Sequence, residues 1–410
     1  MQPAQLRLVL LALGAFTVGT DAYLVAGLLP QIAEDLSVPV ATAGQLVSFF
    51  AIAYAVAAPL MSFATRRFNA RTVLVAALCG VALTDLALVV ASTYPMLAVG
   101  RLVTACFAAA FTPTAASVAA SLVPPDRQGR ALAYVPGGMT LATALGVPLG
   151  SLIANVAGWR GAFVFVSVLS GIVALGLWRT FGHVQPQQRP DRGERLVVLR
   201  KPAIWSMVGM TVLWFTGGFM AYTYISQIAA EIANVHGGWL TAVLLTFGVA
   251  AIVGVRLGGV GADLWGPRRT LVASVGGKGV AFLALAVTGW LAPGPLNAVV
   301  ILFVVVAFWS VSAWATNAPQ QRMFITRAPE DRVTALSLAS SANYAGITLG
   351  ASLGGLVISS YGAGPVLTIA AGIEFFVAAA LITGGIAARR RAVREVAARQ
   401  AELAGPRELV

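Results

Sequence analysis

A chain of 410 residues that is 58% hydrophobic and only 10% charged, with a mean hydropathy of +0.84, is too apolar for a water-soluble domain, where about a quarter of residues carry charge. The composition specifies a polytopic membrane protein. Its net charge of +12 does not signal nucleic-acid binding, because the basic residues gather in short loops between apolar runs.

Residues 1–7 lead directly into the first apolar run, which is too long for a cleaved leader, so the first helix is expected to be retained. At about 20 apolar residues per crossing, spans are expected at 8–30, 42–63, 72–92, 96–121, 130–154 and 161–178. A polar interval at 179–202, centred on Gln185-Pro186-Gln187-Gln188-Arg189-Pro190, cannot bury itself and reads as a linker. Six further spans follow at 204–228, 239–261, 270–291, 297–318, 333–359 and 365–388, before a basic tail that begins at Arg389. The expected organisation is a six-helix bundle at 1–178, the linker, a second bundle at 203–388 and the tail at 389–410.

Arg66, Arg67, Arg71, Arg127, Arg130, Arg268, Arg269, Arg322, Arg327 and Arg332 fall on one side with the linker and tail, against Arg160 on the other. Both termini are therefore expected to be cytoplasmic, with the basic surplus touching anionic lipid. Cys79 and Cys106 sit inside apolar runs and read as packing residues.

The halves repeat. At one constant offset Arg71 overlays Arg268; at a second, Leu145-Gly146 and Leu149-Gly150 overlay Leu349-Gly350 and Leu353-Gly354, and Gly158 overlays Gly362. Six spans separate the copies, so they have the same orientation across the membrane. Parallel repeats place a substrate site between them near the midplane.

The most costly residue is Asp21, in Gly19-Thr20-Asp21-Ala22-Tyr23-Leu24-Val25-Ala26-Gly27-Leu28-Leu29-Pro30-Gln31-Ile32-Ala33-Glu34-Asp35-Leu36. A carboxylate within a span costs roughly 2.5–3.5 kcal/mol on insertion scales, so its default reading is functional. Asp85, Arg101, Arg256, Lys278 and Glu374 are the other charges inside spans. Counted at 1.5 Å per residue, Asp21, Asp85 and Arg101 all lie in the outer halves of their helices. Either acid is placed to pair with Arg101. Lys278 and Glu374 read as a structural pair or as snorkelling toward the interface.

These features resemble the major facilitator superfamily, and within it the twelve-helix drug:proton antiporters of bacteria. The resemblance spans about residues 8–388. It rests first on the Asp21 stretch, in which the acid stands one position earlier than in many relatives. The run Gly259-x-Gly261-Ala262-Asp263-x-x-Gly266-Pro267-Arg268-Arg269 is similar to the family's loop motif, a gate latch, whose first-half copy contains Arg67 and Arg71 but has Arg66 in the acidic place. Gly100-Arg101 looks like the fourth-helix motif tied to proton coupling. Gly138-x-x-x-Ala142-x-x-x-Gly146-Val147-Pro148-Leu149-Gly150 is similar to the antiporter motif of the fifth helix.

The resemblance implies an all-α membrane protein of twelve helices, arranged as two parallel-repeat six-helix bundles around a central cavity. By the same analogy the chain is a monomer in the cell inner membrane, exchanging protons for small, moderately apolar molecules. Asp21 and Arg101 are the expected coupling pair, with Asp85 behind them. Aromatic and polar residues at mid-depth supply the expected cavity wall: Tyr23, Phe49, Phe50, Tyr54, Trp214, Phe215, Tyr222, Phe308, Trp309, Asn343, Tyr344 and, nearer the gate, Arg256. Tyr222 and Asn343 lead, because polar tips at that depth need partners.

An exporter of sugars or other metabolites, a proton symporter and a non-transporting receptor are the alternatives on the same fold. An enzyme is not expected. The only histidines are His183 and His236, no phosphate-binding Gly-x-x-x-x-Gly-Lys-Ser/Thr run occurs, and no metal or cofactor is implied.

Overall fold

The computed structural model describes residues 3–65, 68–124, 131, 133–181, 200–292, 294–329 and 332–403. Arg66, Arg67, Arg127, Arg130, His183 and most of the expected linker lie outside them. The helices are α1 (Pro3–Asp35), α2 (Val40–Ala64), α3 (Ala70–Leu88), α4 (Tyr94–Ser121), α5 (Tyr134–Leu141) and α6 (Val147–Thr180). They continue as α7 (Pro202–Thr223), α8 (Ile225–Ala233), α9 (Gly237–Leu264), α10 (Pro267–Leu291), α11 (Pro295–Trp314), α12 (Asn317–Arg327), α13 (Arg332–Tyr361) and α14 (Ala363–Leu403).

Local sequence explains several helix starts. Prolines open α4, α7, α10 and α11, where the missing N–H would have had no helical partner in any case. Asn69 caps α3 by accepting the Arg71 N–H at 3.0 Å.

Among the described residues, ten helical stretches are long and apolar enough to cross a membrane. One of them, Tyr134–Thr180, is broken at Gly158, whose φ of 71° needs a residue without a Cβ. Gly362, its overlay in the repeat, has a φ of 77° between α13 and α14. The expected tail does not end the last helix, because α14 continues to Leu403.

Packing follows the repeat. The α1 helix lies on α5 and α6, α2 on α4, and α3 on α4 and α6; correspondingly α7 lies on α13, α9 on α11, and α10 on α14. Across the halves, α2 meets α13 and α9 meets the segment joining α5 to α6. The α5–α6 glycines let α1 approach: a Cβ on Gly138, Gly146 or Gly150 would strike Ala12, Thr20 or Leu24. Their overlays Gly350 and Gly354 face Thr216 and Met220 of α7 in the same way.

Residues Ala142–Gly146 form a single π-turn between α5 and α6. Pro148 follows directly and has no N–H to offer the preceding turn, a local cause for widening. The widened backbone reaches the other half, where Gly248 of α9 makes room for Thr143 and Ala144.

Toward the face where α1 ends, side-chain hydrogen bonds join the halves. Ser48 bonds the Thr348 carbonyl at 3.2 Å and meets Ser352 at 3.0 Å, Ser352 donates to Gln45 at 3.0 Å, Ser151 and Asn155 each reach Thr241 at 3.1 Å, and Ser226 donates to the Ala26 carbonyl at 3.4 Å. A polar seam thus joins the halves toward that face.

Candidate functional site

On α1, Thr17 and Thr20 return their hydroxyls to the Gly14 and Phe16 carbonyls, both at 2.8 Å, so they leave the next side chain to find its own partner. Asp21 is 1% exposed, and it meets Arg101 of α4, which is fully buried. Arg101 Nη1 donates to Asp21 Oδ1 at 2.6 Å, and Nη2 donates to the Asp21 main-chain carbonyl at 3.2 Å. The forked guanidinium thus grips both the side chain and the backbone of α1, a geometry a lysine does not provide. Phe50 of α2 lies against it, with its ring centroid 4.4 Å from Arg101 Cζ. Of the two pairings open to Arg101, the fold makes the one with Asp21. Asp85 of α3, also buried, has among the described residues only the Thr104 hydroxyl at 3.5 Å.

An aromatic wall extends from this pair to the other half. Phe50 stacks near Tyr54, at a centroid distance of 6.3 Å, and Tyr54 stacks on Tyr344 of α13 at 3.9 Å. Tyr23, two residues beyond Asp21, lies edge-on to Tyr222 at 6.1 Å and near Phe219 at 6.3 Å. Tyr222 leads on to Phe247, and Phe247 to Trp309, each at 5.1 Å. The Tyr222 hydroxyl is buried without a partner among the described residues. Asn343 does find one, accepting from Gln320 of α12 at 2.7 Å.

A family model described as Major Facilitator Superfamily matches residues 11–332. The chain belongs to the Major Facilitator Superfamily. It is 31% identical over 364 residues to a chloramphenicol resistance protein of Streptomyces lividans, covering 87% of this chain and 88% of that one. It is 30% identical over 354 residues to a chloramphenicol efflux pump of Mycobacterium tuberculosis, covering 86% and 85%. The crystal structure of the nucleoside transporter NupG superposes with a TM-score of 0.74 at 14% identity, over 93% of this chain and 99% of that chain, which establishes the shared fold. This superfamily member is therefore a multi-pass membrane transporter and not an enzyme.

The loop-motif residues of this facilitator act as ties within each half. Arg268 donates from Nε to the Leu381 carbonyl of α14 at 2.7 Å, and Arg71 donates to the Trp178 carbonyl while lying over the Trp178 ring. The two arginines overlaid by the repeat thus hold carbonyls at equivalent positions of α6 and α14. Gly266 turns the chain into α10 with a φ of 84°. Asp263 pairs with Arg322 of α12 at 2.6 Å, not with Arg256.

Several expected cavity residues are placed elsewhere. Arg256 is exposed and makes no hydrogen bond or ion pair among the described residues. Phe308 is 46% exposed on the side of α11 that faces Gly277, while the adjacent Trp309 turns inward. Trp214 packs in a cluster of its own half with Leu271, Val275 and Val377 and reaches the aromatic wall only at its edge, through Phe215 at a ring distance of 6.5 Å. Its carbonyl accepts from Lys278 at 3.1 Å, and Lys278 pairs with Glu374 at 2.7 Å, so these two charges form the buried pair rather than snorkelling. Phe219, Phe247 and Gln320 join the site without having been singled out. The signal for Phe219 is its position one turn beyond Phe215, with which it stacks at 6.1 Å.

Proposed function

We propose that this facilitator is a proton-coupled exporter of small, moderately apolar, drug-like molecules working by alternating access, with Asp21 as the protonation site and Arg101 as its counter-charge. The observation that carries the reading is the 2.6 Å pair between two side chains that are almost entirely shielded from solvent. Of the two groups, the carboxyl of Asp21 is the one suited to exchange a proton, with the guanidinium as its fixed partner. Protonating Asp21 removes the ionic attraction and frees the guanidinium from α1. Phe50, which lies on that guanidinium, passes the change through Tyr54 to Tyr344 and hence across the junction of the halves.

In this reading the seam of Ser48, Ser352, Ser151 and Thr241 closes the outer face, both termini are cytoplasmic, and substrate enters from the cytoplasm of a bacterial inner membrane. Tyr23, Phe219, Tyr222 and Phe247 supply an apolar surface with one unpaired hydroxyl, suited to an aromatic molecule carrying a few polar groups. The chloramphenicol phenotypes in the names of two relatives support that class. The protein works as a monomer without a cofactor, its basic loops resting on anionic lipid.

Chloramphenicol accumulation in an efflux-deficient bacterial host tests the substrate class. Wild-type protein is expected to lower steady-state accumulation several-fold, and an uncoupler is expected to restore it. Accumulation unchanged by the wild-type protein would remove chloramphenicol-like molecules from the reading.

A further inference from the structure

We propose that Asp85 is a second proton-binding carboxyl beside the Asp21–Arg101 pair, and that in this conformation Asp85 holds the proton while Asp21 is the ion. The inference deepens the reading of that pair as the coupling site and rests on it for its part in transport.

Three ionisable side chains, Asp21, Asp85 and Arg101, sit together with exposures of 1%, 0% and 0%. Among the described residues, the charged groups that act on Asp85 are Asp21 of α1 and Arg101 of α4; α6, which packs on the other side of α3, brings no titratable group to it. One guanidinium balances one carboxylate. A second ionised carboxylate would be an uncompensated charge in a site closed to water, which burial does not tolerate. Arg101 is committed to Asp21 through two hydrogen bonds, so the neutral acid is Asp85.

Hydrogen bonding favours the same assignment. The Thr104 hydroxyl has one hydrogen, and the Gly100 carbonyl accepts it at 3.0 Å. With that hydrogen engaged, the 3.5 Å approach of the Thr104 hydroxyl to Asp85 Oδ1 offers the carboxyl at most a long, shared donation, less than a buried anion requires. Among the described residues neither Asp85 Oδ2 nor Asp21 Oδ2 has a donor, but only Asp21 has a guanidinium on its other oxygen, so the anion is better placed there. The cluster is therefore loaded with one proton and has no net charge. A proton leaving Asp85 breaks its O–H bond and leaves both electrons on the carboxylate.

The test is infrared spectroscopy of the purified protein in lipid at neutral pH, in the C=O stretching region of protonated carboxylic acids, and it needs no substrate. A protonated-acid band is expected in the wild type, lost in Asp85→Asn, and present at a shifted frequency in Asp85→Glu. Glu374→Gln, which removes another buried acid, is expected to leave the band in place. A wild-type protein without such a band, or a band unchanged in Asp85→Asn, overturns the proposal. Because the readout is independent of transport, it can fail while Asp21-dependent export stands, and it can succeed where export fails.

Discussion

Arg101→Leu is expected to reduce gradient-driven export to background and to destabilise the protein by about 3–5 kcal/mol, the usual cost of removing one partner from a buried ion pair. The substitution takes away both hydrogen bonds that join α4 to α1 and the cation lying against Phe50. It leaves Asp21 without an ionic partner, so the site no longer alternates between a paired anion and a released neutral acid. Arg101→Lys keeps the charge but loses the fork, and an intermediate defect is expected. The checks are chloramphenicol transport in proteoliposomes and thermal unfolding in detergent. Wild-type transport by Arg101→Leu would mean that the pair serves only to join the two helices.

The second large effect is expected from Gly248→Val, through conformation rather than chemistry. A Cβ at Gly248 would sit 2.3 Å from the Thr143 carbonyl oxygen and 2.3 Å from Ala144 Cα, and backbone cannot turn aside as a flexible side chain does. Overpacking of this kind costs about 1–3 kcal/mol, charged here against the conformation in which α9 closes on the π-turn. A penalty of that size shifts a two-state population about 5–150-fold. Cross-linking of Ser48→Cys to Ser352→Cys, whose hydroxyls are 3.0 Å apart, reports the closed seam on the α2–α13 side. It is expected to fall at least several-fold in the Gly248→Val background. Unchanged cross-linking would show that the two halves do not move as units about this contact.

The parts of the fold legible in the sequence were those governed by length and repetition. Overlaying the halves put Gly158 on Gly362, and both carry the positive φ of a helix break; it put Arg71 on Arg268, and both hold a main-chain carbonyl of a neighbouring helix. Asp21 stood out because burying an acid in a span is costly, and residue counting placed Arg101 at its depth.

Depth does not fix direction around a helix axis. Phe308 and Trp309 have almost the same depth, yet adjacent residues point about 100° apart, and only packing decided that Trp309 faces inward. The same ambiguity kept both acids open as partners for Arg101, and it placed Phe308 and Arg256 in an expected cavity wall that they do not join. The π-turn was foreshadowed only by Pro148, because its position depends on the contact with Gly248. The length of α14 was hidden because a helix continues past the apolar residues that define a span.

Transport of chloramphenicol into proteoliposomes under an imposed pH gradient, compared between the wild type and Asp21→Asn, tests the central claim most directly. Gradient-driven uptake is expected in the wild type and absent in Asp21→Asn, which should still exchange chloramphenicol across the membrane when no gradient is applied. Gradient-driven uptake by Asp21→Asn with the same proton dependence as the wild type would contradict the assignment of Asp21 as the coupling acid.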